Sequence, residues 1–347
     1  MTRRSTSLLV IGLAALGLLF IAPDVFLVVF AGLLLAVFIH GGGHWIASRL
    51  GLGDGWGIAI FVVAIIAVLA AFSGAVAPAV VDEIDQLTQR LPEALGQLRR
   101  RVAEYSWGER LLDRITPEGM MSSGGRTAAT SAVTSTFGAL GNFVIILFIG
   151  LYGALDPGLY RRGAKMLLAP SMRPRAEEVM AAVGDTLRNW LTAQLMAMTM
   201  VGVLTALGLW LAGVPLHFAL GLIAGLLGFI PNIGPIIAAA PALLLAFPEG
   251  MNTVLIVLAI YAAVQALEGY VVTPLIQQEK VSLPPVVIIV AQLLFGVLFG
   301  ILGLALATPI AALAMTLVRE VYVEDYLEHE AAGVQADDGR EDNPAGG

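Results

Sequence analysis

The chain has 347 residues, of which 58% are apolar and only 13% charged, with a formal net charge of −7 and no cysteine. Soluble domains carry about 25% charged residues, and a water-soluble fold cannot shelter so large an apolar excess, so the remainder faces lipid. An ordinary soluble enzyme, a disordered chain and a fibrous repeat are excluded, as are disulfides, thiolate metal sites and cysteine nucleophiles.

A spanning helix needs about 20 mostly apolar residues to cross a hydrocarbon core of about 30 Å. The runs that meet or approach this, in chain order, are Ser7–Ala22, Val25–Ile39, Gly57–Val81, Phe137–Leu155, Leu191–Ala212, Phe218–Phe247, Met251–Val272 and Val286–Val318. Met1-Thr2-Arg3-Arg4 before the first run resembles a signal peptide. No clean small-x-small cleavage site follows, so the run reads as a retained helix. The fold class is therefore all-α: a polytopic helical membrane protein with about eight transmembrane or re-entrant segments.

Two runs exceed one straight crossing. Phe218–Phe247 has 30 residues and Val286–Val318 has 33, roughly 45 and 50 Å of helix. The first is expected to break at Gly228-Phe229-Ile230-Pro231-Asn232-Ile233-Gly234-Pro235 and again at Pro241. The second carries Gly296, Gly300, Gly303 and Pro309. Proline removes a backbone donor and blocks the helix ladder. Backbone freed in hydrocarbon must be satisfied by protein, water or ligand. Paired interruptions of this kind mark the binding sites of secondary transporters, although single prolines also serve as plain kinks.

Two polar stretches separate the runs. From Asp82 to Ile115, apolar residues at Ile84, Leu87, Leu91, Leu95, Leu98, Val102 and Tyr105 recur every three or four positions, one stripe of a helix. Charges, including Arg99-Arg100-Arg101, cover the other face. The reading is a solvated helix packed on a neighbour or a subunit, ahead of a lipid-binding arm. Thr116–Ala129 is rich in Gly, Ser and Thr and reads as a linker. Asp156–Trp190 is the second stretch and carries six basic residues from Arg161 to Arg188. Basic residues near membrane ends favour the cytoplasmic side, and with Arg3 and Arg4 they favour an inside N-terminus. From Glu320 to Gly347 nine acids face one base, Arg340, so the negative charge belongs to a solvated tail. The domains read as 1–81, 82–129, a transport core 130–319, and the tail 320–347. No basic stripe is available for nucleic acid.

Few polar groups lie at membrane depth. Glu268 is the one acid deep in an apolar run, with Gln265 one turn earlier on the same face. Such residues usually face a cavity or a pathway, which makes Glu268 a candidate to take up a proton or cation. The competing reading has Glu268 at the helix end, reaching the interface and capping the turn to Pro274. Asn232, Gln292 and Thr308 lie beside the breaks and are suited either to a solute or to loosened backbone. His40-Gly41-Gly42-Gly43-His44 reads as a flexible turn with interfacial His and Trp45. A metal pair lacks a third ligand nearby, and an oxyanion loop needs the G-x-S-x-G nucleophile that this sequence lacks. Nucleotide, zinc-protease and dinucleotide motifs are also missing, so neither a cofactor nor a metal is implied.

The run from Gly213-Val214-Pro215 through Gly225-Leu226-Leu227-Gly228-Phe229-Ile230-Pro231-Asn232-Ile233-Gly234-Pro235 to Pro241 resembles the hallmark of the autoinducer-2 exporter family, the PerM-like permeases. Gln265-Ala266-Leu267-Glu268-Gly269-Tyr270-Val271-Val272-Thr273-Pro274 and Gly300-Ile301-Leu302-Gly303-Leu304-Ala305-Leu306-Ala307-Thr308-Pro309 continue the likeness. Leu151-Tyr152, Asp156-Pro157 and Leu159-Tyr160-Arg161 resemble the family's linker after the fourth helix. Where the family often has a glycine-containing turn after Pro274, this chain has Gln277-Gln278-Glu279-Lys280 and Leu283-Pro284-Pro285. The resemblance implies a carrier of about eight helices that forms homo-oligomers, pentamers being known in the family, in the cytoplasmic (inner) membrane. It also implies export of autoinducer-2 or, in other members, sodium- or lithium-for-proton exchange.

Together these readings predict a secondary transporter of a small polar solute, not an enzyme. Pro231, Asn232, Gly234, Pro235, Gln265, Glu268, Gln292 and Thr308 are expected to line the pathway. A cation/proton antiporter is the second expectation. A membrane scaffold whose amphipathic helices bind partners is the expectation from a different class.

Overall fold

The structure is a computed structural model that describes residue 17 and residues 21–75, 77–103, 125–272 and 284–321. Its described elements are helices: α1 (Pro23–Leu50), α2 (Asp54–Ala75), α3 (Ala77–Ala103), α4 (Gly125–Leu155), α5 (Pro157–Met166), α6 (Arg173–Leu211), α7 (His217–Leu227), α8 (Ile233–Ala246), α9 (Met251–Leu267) and α10 (Pro285–Leu317). No strand occurs among the described residues. Short 3₁₀ turns precede α6 and follow α8, and a π turn, Glu268–Val272, ends α9. The first apolar run lies almost wholly outside the described residues.

Helix ends follow local chemistry. Gly51 (φ 67°) and Gly213 (φ 70°) take the left-handed conformation after α1 and α6. In each case the next amide reaches back across the last turn, Leu52 N to Ala47 O at 3.0 Å and Val214 N to Leu209 O at 2.9 Å. This is the Schellman arrangement that glycine accepts without steric cost. Asp156 caps α5 by accepting from Leu159 N at 3.0 Å, and Pro157 fills the first helical position. The chain bends by 91° between residues 140–155 and the helix Pro157–Met166, so the second polar stretch turns away from the fourth apolar run.

Two compact units result. The first contains Met1–Gly42, Phe148–Leu191 and Glu279–Gly347. Here α1 packs on α4 with Leu27, Phe30 and Leu34 buried, and Gly32 and Gly153 sit against Ile149 and Ala36 where a side chain has no room. His40 Nδ1 donates to Ala154 O at 3.1 Å. Arg175 holds both the carboxylate and the carbonyl of Glu320 at about 3 Å. Thr316 donates to Thr186 at 3.2 Å.

The second unit contains Gly43–Leu147 and Thr192–Gln278. Its core is Val201 and Leu209 of α6, Leu220 and Ala224 of α7, Ala238, Ala242 and Leu245 of α8, and Val257, Tyr261 and Val264 of α9. The amphipathic α3 joins this core through Leu87, as its stripe predicts. Val63, Ile66 and Val68 of α2 remain largely exposed, as expected of a helix whose neighbour is lipid.

Three expectations are corrected. His40–His44 is not a turn, because α1 runs through it to Leu50. Glycine weakens an isolated helix, but here it permits contact: a side chain on Gly43 would strike the Ile58 backbone, and one on Gly57 would strike Gly43 O. His44 instead pairs with Asp54 at 2.9 Å. Pro241 does not break the sixth run, since α8 passes through it; its neighbours Ala238 and Ala242 are packed into the core, and that packing outweighs one lost hydrogen bond. The expected linker is helical from Gly125 onward, while its residues 116–124 lie outside the described residues.

Candidate functional site

The sixth run is a helical hairpin. α7 ends at Leu227, and the chain turns through Gly228–Asn232 into α8. At Asn232 the backbone has φ 65° and ψ −47°, and Ile233 N donates to Pro231 O at 2.7 Å. This is the γ-turn of positive φ, which is rare and strained, and asparagine tolerates it better than most residues. A Cβ on Gly234 would overlap Leu227 O. Residues seven apart along one helix would be about 10 Å apart, so α8 folds back on α7. Pro235 falls in the first turn of α8, where its missing donor is not needed. The arms have 11 and 14 residues, roughly 16 and 21 Å, each short of a bilayer core of about 30 Å.

The freed backbone at this tip has a partner. Gly228 O accepts from Gln194 Nε2 of α6 at 2.6 Å. α6 approaches α7 closely at a G-x-x-x-G pair: a Cβ on Gly202 would lie 3.2 Å from Gly221 O and 3.3 Å from Gly225 Cα. Small residues at this spacing let membrane helices meet backbone to backbone. Leu216 starts α7 in the left-handed conformation without a side-chain cap. Glu83 of α3 supplies one, its carboxylate accepting from Ala219 N at 2.7 Å.

α9 returns beside α8 after a 3₁₀ turn and Gly250 (φ 110°). Tyr261 OH donates to Ala238 O at 3.2 Å and fixes the register. Glu268 lies seven residues beyond Tyr261 and Pro231 seven before Ala238, roughly 10 Å in each case at 1.5 Å per residue. Because the helices are antiparallel, both fall at the same end of the pair. There Gln265 Nε2 donates to Glu268 Oε2 at 3.0 Å, and Glu268 opens the π turn that ends the helix. Six of the eight expected pathway residues thus lie at one end of the second unit. Asn232 and Gln265 are exposed, and Glu268 and Pro231 are half-buried.

The eighth run folds back as well, in the first unit. Among its described residues Gly300 alone departs from helical geometry, with φ 66° and ψ −149°. A Cβ on Gly296 would lie 3.3 Å from Leu304, and one on Gly303 would meet Phe295 and Phe299. Residues eight apart in a straight helix are about 12 Å apart. By length and apolarity Pro285–Val321 passes as one long span, but these contacts make it two arms, 285–299 and 301–317. Each is roughly 22–26 Å long. Gly296, Gly303 and Pro309 do not break it; the two glycines provide room between the arms. Gln292 and Thr308 stand eight residues either side of Gly300, one on each arm. Both are buried, at 1% and 2% exposure, and Thr308 Oγ1 has no hydrogen-bond partner among the described residues.

Sequence reading did not find Gln194, Glu83 or Tyr261. A glutamine in the apolar part of α6 was the available signal, since a buried amide needs a partner. Nothing in spacing points from Glu83 to Ala219. Among the described residues no group of three or more metal-ligating side chains occurs.

A helical chain with several membrane-spanning helices and two apolar helix runs folded back on themselves has the build of a multi-pass membrane transporter. The comparisons name the family. Residues 8–322 match the AI-2E family transporter. The AI-2 transport protein TqsA of Escherichia coli K12 is 27% identical over 275 residues, 74% of either chain. PerM of the same strain, a permease by name, is 28% identical over 339 residues, 90% of this chain and 92% of the relative. YrrI of Bacillus subtilis 168, a transport protein by name, is 34% identical over 173 residues, 50% of this chain and 49% of the relative. The chain belongs to the AI-2E transporter family, and the relatives it matches are transport proteins and permeases by name.

Proposed function

We propose that the protein is a secondary carrier that moves a small polar solute across the cytoplasmic membrane. The supporting observation is the hairpin tip at Gly228–Asn232, with strained backbone at Asn232 and the Gln265–Glu268 pair level with it. The turn interrupts the helix ladder and brings the polar Asn232 to an exposed tip, where a solute can reach it. Glu268 takes up a proton or a cation and gives the two facing states different affinities, which a carrier requires. Autoinducer-2, named for the relative TqsA, is the first solute to test. Gln292 and Thr308, buried in the hairpin of the first unit, are further candidates to hold solute. The working form is a homo-oligomer, with the pentamer as the first arrangement to test.

The test is proton movement in everted vesicles from antiporter-deficient cells, with solute, sodium or lithium added, for the wild type and Glu268→Gln. Coupled transport is expected to vanish in Glu268→Gln while the protein still reaches the membrane. Retained coupling in that variant removes Glu268 from the mechanism. A response to sodium or lithium alone, lost in the variant, makes the protein a cation/proton antiporter. The presence of only one carboxylate deep in the apolar runs favours the solute carrier over that alternative. A scaffold, by contrast, would keep its phenotype when Asn232 is changed.

A further inference from the structure

At the opposite end of the second unit from the hairpin tip, α3 lies over the turn before α7 and the turn after α8, and a cavity of about 210 Å³ opens between them. This far exceeds the ~10–15 Å³ that one water needs by the same measure. Apolar Leu216 and Leu245 form part of its wall, together with Arg90, Glu93, Gln97 and Glu249. The two leucines are buried; the charged groups sit at the rim.

Three features mark this as a place for a ligand. Arg90 and Glu93 are one turn apart on one helix, a spacing that ordinarily pairs opposite charges. Neither they nor Glu249 form an ion pair among the described residues; Arg90 makes only a long contact of 3.4 Å to Gln86. Three formal charges therefore line the mouth of the cavity with no ion pair between them. The wall residue Leu216 is held at φ 60°, a conformation that costs an L-residue energy and recurs at ligand sites. The cavity also adjoins a fixed joint, because Glu83 on the same helix caps α7.

We propose that this cavity binds a small basic amino acid, a solute with one carboxylate and two ammonium groups on an aliphatic stem. The guanidinium of Arg90 takes the carboxylate, for which its planar fork is suited. Glu93 and Glu249 take the ammonium groups, and the stem lies on Leu216 and Leu245. One guanidinium against two carboxylates leaves the lining one negative charge in excess, which a monocationic dibasic amino acid balances. A bound molecule would tie α3 to the bases of two helix pairs. The proposal does not depend on what the protein carries, since it concerns equilibrium binding alone.

The test is calorimetric titration of the purified full-length protein in lipid nanodiscs with l-lysine, with cadaverine, which lacks the carboxylate, and with 6-aminohexanoate, which lacks the α-ammonium. l-Lysine is expected to bind saturably and about tenfold or more tighter than either analogue, the usual effect of one charged hydrogen-bonded contact. Arg90→Gln is expected to abolish the advantage of l-lysine over cadaverine. Arg90→Lys should keep part of it, and Glu249→Gln should weaken both cations. Each change is at an exposed side chain, so the unliganded melting temperature should hold, which separates lost binding from lost fold. Absence of saturable l-lysine binding overturns the proposal. Binding that survives both Arg90→Gln and Glu249→Gln unchanged also overturns it.

Discussion

Asn232 carries the conformation that defines the first hairpin tip. With φ 65° and ψ −47° it occupies backbone space that a β-branched residue reaches only as an outlier. Asn232→Gly should be close to neutral in stability, because glycine enters this region freely. Asn232→Val should destabilise by about 1–3 kcal/mol, the usual cost of a forced backbone conformation. Melting of the purified protein in detergent distinguishes them, and equal melting of the two variants would show that the turn is not strained. Gln194 gives a second test at this scale. Gln194→Leu leaves Gly228 O without its 2.6 Å donor, and a buried acceptor left unsatisfied costs about 1–3 kcal/mol. Gln194→Glu, which presents no amide donor, should fare no better in the same melting experiment. The sequence pointed to Asn232 through its proline and glycine neighbours but not to Gln194, because a partner 34 residues away is set by how α6 packs on α7 and not by local spacing.

At the scale of elements, the lengths of the apolar runs were readable and their paths were not. Thirty or more apolar residues cannot make one straight crossing, and both long runs are interrupted. Which residue interrupts them depends on packing. Pro241 and Pro309 stay inside helices, while Gly300 turns the chain. The glycines of His40–His44 were misread for the same reason: a glycine that loosens a helix in water lets two helices touch when a neighbour such as Ile58 fills the gap. The fold-back at Gly300 has a direct test, since the chain contains no cysteine and any introduced pair is the only pair. A Cβ built on Gly296 lies 3.7 Å from Leu304 Cβ, inside the range of about 3.5–4.5 Å for disulfides. The double variant Gly296→Cys/Leu304→Cys should therefore close a disulfide under mild oxidation, seen as a loss of two alkylation sites by mass spectrometry. In a continuous helix these positions would stand about 12 Å apart and both thiols would remain alkylated.

For the whole molecule, fold-back changes topology, because a hairpin returns the chain to the side it left. The eight-run reading of the sequence counted each apolar run once and left open whether the sixth and eighth cross. The arms of each run are packed against each other, so each run is expected to enter and leave on one side. Ala212, just after α6, and Glu249, just after α8, flank the first hairpin, and both are exposed. Ala212→Cys and Glu249→Cys, each introduced alone, should be labelled by an impermeant maleimide from the same face of the membrane, compared in right-side-out and everted vesicles. A single crossing between them would put the two thiols on opposite faces and reverse the labelling of one. Labelling of both thiols from one face would place the tip at Asn232 away from that face, where the proposed carrier needs backbone that can face water from either side. An Asn232→Cys thiol that labels only when solute or coupling ion is present, or only when it is absent, would tie the hairpin to the transport cycle. Labelling indifferent to every solute tested would leave the hairpin a fixed structural element and shift the moving part to the arms around Gly300.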